Sequence, residues 1–146
     1  MTRDELAAAF RNTTYRVIAA PALFDLRIGV GALDFDAFLR QRGVSCWALL
    51  TACNPGGVRS EAHNARYQRR LLERVQAAGR DVLPALNLAD DDAWPPEPGV
   101  FLPGVSADQA RALAAEFRQL ACVCGDTGAA PRLVWTEPDA RSSPAS

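Results

Sequence analysis

The most strongly apolar segment of the chain, residues 46–52, ends abruptly at the sequence Asn54-Pro55-Gly56-Gly57. An apolar run of this length without polar alternation is typical of a strand that is buried on both faces. Such a strand needs a neighbour on either side and helices above and below it. We therefore expect it to be central in the sheet of an α/β protein, with a tight strand-to-helix turn directly after it.

The apolar pattern on either side of this strand predicts the order helix, two strands, helix, strand, helix, two strands, helix, two strands. The clearest helix runs from Ser60 to about Ala78, where Gly79 favours its end. Its predicted buried stripe consists of Tyr67, Leu71, Leu72 and Val75. Residues 90–99 are dense in aspartate and proline, so we expect an irregular loop there.

Together these elements predict one domain without an internal repeat or a linker. Its fold class is α/β (α+β), with a mixed β-sheet of about five to seven strands flanked by about three to four helices. The domain is expected to span residues 1–137. The remaining residues, 138–146, are rich in Ser, Pro and Ala and are predicted to form a flexible tail.

The charge of the chain argues against recognition of nucleic acid by a general electrostatic field. It has 146 residues, with 16 basic and 17 acidic side chains and a formal net charge of -1. All of the basic residues are arginine, which excludes lysine chemistry such as a Schiff base or a phosphate-loop lysine. Recognition of charge must therefore be local.

Neither the ends nor the cysteines of the chain suggest export, membrane insertion or a metal. The first residues contain two acids where a signal peptide has a basic start, and no apolar run is long enough to span a bilayer. The four cysteines have no C-x-x-C spacing, and His63 is the single histidine, so we predict no metal site and reduced core cysteines. We expect a cytoplasmic protein.

The turn after the apolar strand is the place where an α/β fold exposes backbone donors to a ligand. Gly56 and Gly57 permit positive φ and close approach of the backbone, and Ser60 begins the next helix. These residues predict a site for a small anion. The sequence has neither the spaced glycines of a dinucleotide site nor the lysine of a phosphate loop, so it identifies no cofactor.

Asn64 is the polar residue whose position in the helix attracts most interest. It lies four residues after Ser60 and three before Tyr67, so its side chain should point inward, towards Asn54 and the turn. A buried amide without a partner costs about 1–3 kcal/mol. Asn64 therefore either fixes the loop that follows the strand or contacts a ligand, and both interpretations stay open.

Three further residues carry charge or can exchange a proton. Glu97, held between prolines, and His63 are candidates for a general base; the alternatives are an exposed loop acid and a solvated histidine of the first helical turn. Arg27 alternates away from its apolar neighbours and could bind a carboxylate or phosphate, or pair internally with Asp25 or Glu97.

Several blocks of the sequence resemble the bacterial family known as domain of unknown function 3293, over roughly residues 14–136. The most specific are the Thr-Ala-x-Asn-Pro block that begins at Thr51 and the Trp-Pro-x-Glu block that begins at Trp94. The resemblance implies site roles for Thr51, Trp94 and Gln119 beside Arg27 and Glu97. This chain has Cys53 where the family more often has an aromatic residue, and Gly99 where it more often has serine. The family has no established activity to transfer.

The sequence therefore leaves three functions open. The first is binding of a small anionic or nucleotide-like metabolite at the turn of residues 54–60. The second is a hydrolase or transferase with Glu97 or His63 as its general base. The third is an accessory protein that binds a protein partner through the arginine-bearing helix or the Trp94 loop. Whether the chain is an enzyme, and its oligomeric state, are not decided by its residues.

Overall fold

A computed structural model describes residues 2–54, 56, 60–91 and 94–137. The elements follow in the predicted order. They are α1 (Arg3–Arg11), β1 (Thr13–Ala19), β2 (Ala22–Leu26), α2 (Leu33–Gln41), β3 (Cys46–Leu50), α3 (Glu61–Ala77), β4 (Leu83–Ala89), β5 (Glu97–Pro103), α4 (Ala107–Glu116), β6 (Ala121–Asp126) and β7 (Arg132–Trp135). Gly57 and the tail expected over 138–146 lie outside the described residues.

Local sequence explains where the helices begin and end. The hydroxyl of Thr2 accepts a hydrogen bond from the backbone of Glu5 at the start of α1. Ser106 and Gln109 cap the start of α4 reciprocally, each side chain bonding the backbone of the other. After α3, Gly79 takes a φ of 71°, which ends the helix at little steric cost.

The seven strands form one sheet in the order β2-β1-β4-β5-β3-β6-β7. The predicted α/β fold is confirmed, since the described residues form a single sheet of seven strands and four helices. Among these residues, all six pairings of neighbouring strands are antiparallel. The apolar strand β3 lies inside the sheet between β5 and β6, as its composition predicts.

The sheet separates two apolar clusters. On one face α3 and α4 cover Leu50, Leu102 and neighbouring side chains, while α1 and α2 cover the opposite face around Trp47 and Phe101. Antiparallel strands that are buried on both faces need both layers of helices. Within α3, Leu71 and Val75 are buried as predicted, but Leu72 is 37% exposed, so its assignment to the buried stripe is wrong.

The prediction of an irregular loop up to residue 99 is also wrong, because β5 begins at Glu97. Pro98 lies beyond the end of the β3 ladder, whose last pair with β5 joins Leu50 to Val100. The carbonyl oxygen of Pro98 points towards the β3 side of β5 and accepts a hydrogen bond from the hydroxyl of Thr51, with 3.0 Å between the two oxygen atoms. The missing N–H of proline therefore breaks no ladder bond, which makes this position compatible with a strand.

The sheet is curled enough for the segments beside its two outer strands to meet. The N–H of Gly29, just after β2, donates to the carbonyl of Pro131, just before β7, at 2.9 Å. At the start of α1, the guanidinium of Arg3 stacks over the ring of Trp135 at 4.0 Å. We call this region, which contains Arg3, Gly29, Pro131 and Trp135, the seam.

The cysteines are free thiols. Cys122 and Cys124 are buried with their sulfur atoms 3.9 Å apart, and both belong to the core cluster under α3 and α4. In the part of the chain that the structure describes, no three His, Cys, Asp or Glu residues are grouped so as to hold a metal ion. None of the helices described there has both the length and the apolar composition required to cross a bilayer.

Candidate functional site

The chain leaves the sheet at the end of β3, and the backbone beyond it is held by side chains instead of a neighbouring strand. Gln68 accepts a hydrogen bond from the N–H of Ala52 at 3.2 Å. Gln119 donates to the carbonyl of Cys53 at 3.0 Å. The hydroxyl of Thr51 accepts from the N–H of Cys53 at 3.1 Å. Buried backbone groups need such partners, so these contacts allow the strand to end inside the protein.

Asn64 completes this support and points towards the turn, as its helical position predicts. Its Oδ1 accepts a hydrogen bond from the N–H of Asn54 at 2.8 Å, and its Nδ2 donates to Oδ1 of Asn54 at 2.9 Å. Gln68 lies one helical turn further along α3, on the same face. The helix that follows the turn therefore supplies two of the amides that fix it.

Asn54 is the centre of the network. Its φ is 52°, in the left-handed region that asparagine tolerates better than most residues. Its Oδ1 also accepts from the N–H of Ser60 at 3.0 Å, and its Nδ2 donates to Oε2 of Glu97 at 3.2 Å. A single side chain thereby joins the start of α3, the end of β3 and the start of β5.

Glu97 is the half-buried carboxylate of this network. It faces Asn87 across the β4–β5 pair, and Asn87 in turn faces Tyr15 on β1, so the three side chains share one face of the sheet. Burial raises the pKa of Glu97, and polar contacts with Thr51 and Asn87 partly oppose this. A carboxyl group whose pKa is raised by burial is a candidate for proton exchange.

Two neighbouring groups stay protonated. Burial, together with the charge of Glu97, raises the pKa of the Cys53 thiol to about 11, although a hydrogen bond with Thr51 opposes the shift. Burial likewise raises the pKa of Tyr15 above its ordinary value. The site therefore holds one ionisable carboxylate and no thiolate nucleophile at neutral pH.

Gly56 places the guanidinium of Arg118 close to the turn. Its N–H donates to the carbonyl of Arg118 at 2.6 Å, and a Cβ added at Gly56 would stand 3.7 Å from Nη2 of Arg118. The φ of Gly56 is 70°. Among the residues that the structure describes, no carboxylate lies within ion-pair distance of Arg118. The turn therefore has a carboxylate bonded to Asn54 and a guanidinium close to Gly56.

The structure brings together seven of the residues predicted for the site. They are Thr51, Asn54, Gly56, Ser60, Asn64, Glu97 and Gln119. Two of the predicted backbone donors, the N–H groups of Gly56 and Ser60, are already used within the protein, since they bond Arg118 and Asn54. Among the described residues of the turn, an anion would therefore rely on a side chain.

Arg27 is not in contact with these residues. Its guanidinium forms a bidentate pair with Asp90, with both N–O distances at 2.9 Å, and also donates to Thr14 and to the carbonyl of Arg11. The internal partner is therefore Asp90 rather than Asp25 or Glu97, and Asp25 pairs with Arg16.

The two remaining predicted residues lie on the surface. His63 is exposed in the first turn of α3, where its ring is 6.1 Å from the ring of Tyr67. Trp94 is 48% exposed, in the segment before β5. Neither is bonded to Glu97 by any described hydrogen bond.

Sequence reasoning missed Gln68, Asn87 and Arg118. Gln68 had a usable signal, because it lies four residues after Asn64 and therefore on the same helical face. Asn87 and Arg118 gave no such signal, since their roles depend on strand register and on a contact between distant segments.

These features define a class of protein: a single α/β domain on a seven-stranded antiparallel sheet, with a polar site centred on a carboxylate where an interior strand ends. The chain belongs to the family described as Protein of unknown function (DUF3293), whose profile matches residues 50–122, half of its length. The match contains the whole network from Thr51 to Gln119, whereas Arg27 lies outside it. No curated protein and no solved structure matches the chain.

Proposed function

We propose that the protein binds a small, nucleotide-like metabolite at the turn of residues 54–60, between Glu97 and Arg118. The observation that carries this proposal is the opposed pair of charges on a preorganised turn. Asn54 fixes the carboxylate through a hydrogen bond, and Gly56 fixes the backbone of the arginine. Preorganised polar groups bind with a smaller entropy loss than mobile ones.

The ligand's two polar ends follow from these charges. Arg118 suits a phosphate or carboxylate, because a guanidinium can offer two parallel N–H donors to it. Glu97 accepts hydrogen bonds when it is ionised, so it suits a hydroxyl or amino group of the ligand. A phosphorylated molecule with a sugar or base has both kinds of group. In this proposal the anion is held by a side chain, since the described backbone donors of the turn, at Asn54, Gly56 and Ser60, are engaged.

A thermal-shift screen with nucleoside monophosphates and sugar phosphates tests this proposal. We expect at least one compound to raise the melting temperature of the wild type. Glu97→Gln and Arg118→Gln should each weaken binding of that compound at least tenfold in calorimetry. Arg70→Gln, which removes an exposed arginine of α3, is the matched control and should leave the affinity unchanged.

Two results would contradict the proposal. One is the absence of any stabilising compound in this class. The other is a compound whose affinity is unchanged in both site variants, because binding would then occur elsewhere. Amide chemical shifts of Asn54, Gly56 and Ser60 during titration report directly on the turn.

A second candidate function is proton-transfer catalysis on the same ligand, with Glu97 as general base or acid. The raised pKa of this half-buried carboxyl group supports it. Hydrolysis or group transfer of a compound found in the screen should then be lost in Glu97→Gln. If Glu97→Gln retained the turnover of the wild type, Glu97 would have no catalytic role.

We also infer that this is a cytoplasmic protein of bacterial origin. Four free cysteines are typical of a reducing compartment, and the blocks at Thr51 and Trp94 support the bacterial assignment through the family they resemble. Alkylation of the thiols in intact cells, compared with purified protein, tests whether they remain reduced.

A further inference from the structure

We propose that the seam is a second ligand site, which binds a small organic anion. A cavity of about 480 Å³ lies there, between α1 and the segments that precede β7 and follow β2. Ligand pockets for small molecules commonly have volumes of about 300–1,000 Å³. This site is separate from the turn of residues 54–60 and shares no lining residue with it.

The cavity exists because of the spacing of residues along α1. Arg3, Ala7 and Arg11 are four residues apart, so they form one stripe of the helix, and all three line the cavity. The small side chain of Ala7, between two long ones, leaves the space open. The helix therefore presents a cation on either side of the small side chain of Ala7.

The positive charge of the cavity is only partly neutralised. Arg132 pairs with Asp126 at 3.1 Å, and Arg3 is held over Trp135 and donates to the carbonyl of Glu137. Arg11 differs from both, since its guanidinium has no hydrogen-bond or ion-pair partner among the described residues. With Asp4 as the carboxylate in the lining, the three arginines leave a net positive site.

The remaining lining residues limit the rest of the ligand. The accessible lining of the cavity is more polar than apolar, and Ile28, Leu133 and Trp135 contribute its smaller, apolar part. A carboxylate attached to a compact organic group would reach Arg11 and cover these side chains, whereas an inorganic ion would leave them in contact with water. The chemistry of the cavity therefore favours a small organic anion.

The test uses 1-naphthoate as the anionic probe and 1-naphthalenemethanol as its uncharged counterpart. Titration of the ¹⁵N-labelled chain with 1-naphthoate should shift the amide signals of Ala7, Gly29 and Leu133 and the indole signal of Trp135 to saturation. The alcohol should bind at least tenfold more weakly. The signals of Asn54 and Gly56 should not move, which separates this site from the one at the turn.

Three variants and one control define the roles of charge and space. Arg11→Gln should weaken binding of 1-naphthoate about tenfold, Arg11→Lys should restore most of it, and Arg70→Gln should have no effect. Ala7→Leu should block the cavity without any change of charge. Should Ala7→Leu not fold, Arg11→Gln and Arg11→Lys decide the matter, because Arg11 is exposed.

The proposal is overturned by any of three results. The first is the absence of a saturable shift at the seam with 1-naphthoate. The second is an affinity for the alcohol equal to that for the acid. The third is an affinity of Arg11→Gln for 1-naphthoate equal to that of the wild type. None of these results bears on Glu97 or Arg118, so the function proposed for the turn is tested independently.

Discussion

The turn after β3 and the seam beside α1 both contain polar side chains next to apolar core, but they differ in how many of those polar groups are engaged. At the turn, Asn54 makes three hydrogen bonds through its side chain, and Gln68 and Asn64 satisfy the backbone around it. At the seam, the guanidinium of Arg11 faces a cavity without a described partner.

This difference separates two meanings of a polar residue at an inward position. Half-buried amides whose hydrogen bonds are internal stabilise a conformation, whereas Glu97 and Arg118, among the described residues around the turn, retain capacity for a ligand. A cation that faces an open cavity has that capacity without any rearrangement. The same contrast predicts that the turn is sensitive to substitution and that the seam tolerates it.

The largest loss of stability is expected for Asn54→Ala. This change removes three hydrogen bonds and places alanine at a φ of 52°, so we expect the free energy of unfolding to fall by about 3 kcal/mol. Asn54→Gly removes the same bonds but accepts the backbone, and should recover about 1 kcal/mol of that loss. Urea denaturation measures both. A loss below about 0.5 kcal/mol in Asn54→Ala, the usual size for a surface change, would show that the turn is not a fixed unit.

The next largest effect is expected in β5, beside the end of β3. A Cβ at Gly99 would stand 2.9 Å from the carbonyl oxygen of Leu50, so Gly99→Ala should cost about 2 kcal/mol through a forced shift of β3 or β5. Gly31→Ala is the matched control, since a Cβ there meets nothing within 4 Å. Equal stability of the two variants in urea would contradict the close packing of β5 against the end of β3.

Much of the fold could be predicted because it depends on local patterns. Periodicity gave all eleven elements in order, and the position of Asn64 relative to Tyr67 gave the direction of its side chain. The start of β5 was missed because Pro98 is normally a strand breaker. Its tolerance here depends on where β3 ends, which is a property of the sheet and not of the segment.

The candidate site was predictable in its location but not in its charges. Arg27 was assigned to the turn from strand alternation and from the family resemblance, neither of which reveals a partner 63 residues away. Arg118 escaped notice because it reaches the turn through a backbone contact with Gly56. Contacts between distant segments decide which charged groups are engaged, and a single sequence contains no direct signal for them.

A smaller and salt-dependent effect is expected for Arg27→Gln. Arg27 joins Asp90, Thr14 and the carbonyl of Arg11, so it belongs with the structure around the seam. Its ion pair is exposed to solvent, and we expect a modest loss of stability that shrinks at high salt. Arg74→Gln, which breaks one exposed pair with Glu116, should cost less.

Measurements of ligand affinity test whether Arg27 acts at the turn or belongs to the structure around the seam. Arg27→Gln should leave the affinity of any ligand at the turn unchanged when binding is measured by calorimetry. A tenfold loss of that affinity would mean that Arg27 acts at the turn after all. The two regions would then be coupled instead of separate.

The smallest effect is a change in pH dependence, and it depends on Glu97. Burial raises the pKa of this group in the folded protein above its ordinary value of 4.5, so the folded state keeps the proton to higher pH than the unfolded chain does. The stability that the group contributes is therefore fully present below the unfolded pKa and is lost as the pH rises through the folded pKa.

Glu97→Gln keeps the shape of the side chain and removes its charge. The free energy of unfolding of the variant, minus that of the wild type, should increase as the pH is raised from 4 towards neutrality. Urea titrations across that range measure this difference. Glu73→Gln, at an exposed position of α3, should show no comparable trend. A wild type that became more stable relative to Glu97→Gln over the same range would mean that the bonds from Asn54, Thr51 and Asn87 outweigh burial. Glu97 would then be one more internally satisfied group of the turn, and its proposed role in proton exchange would be lost.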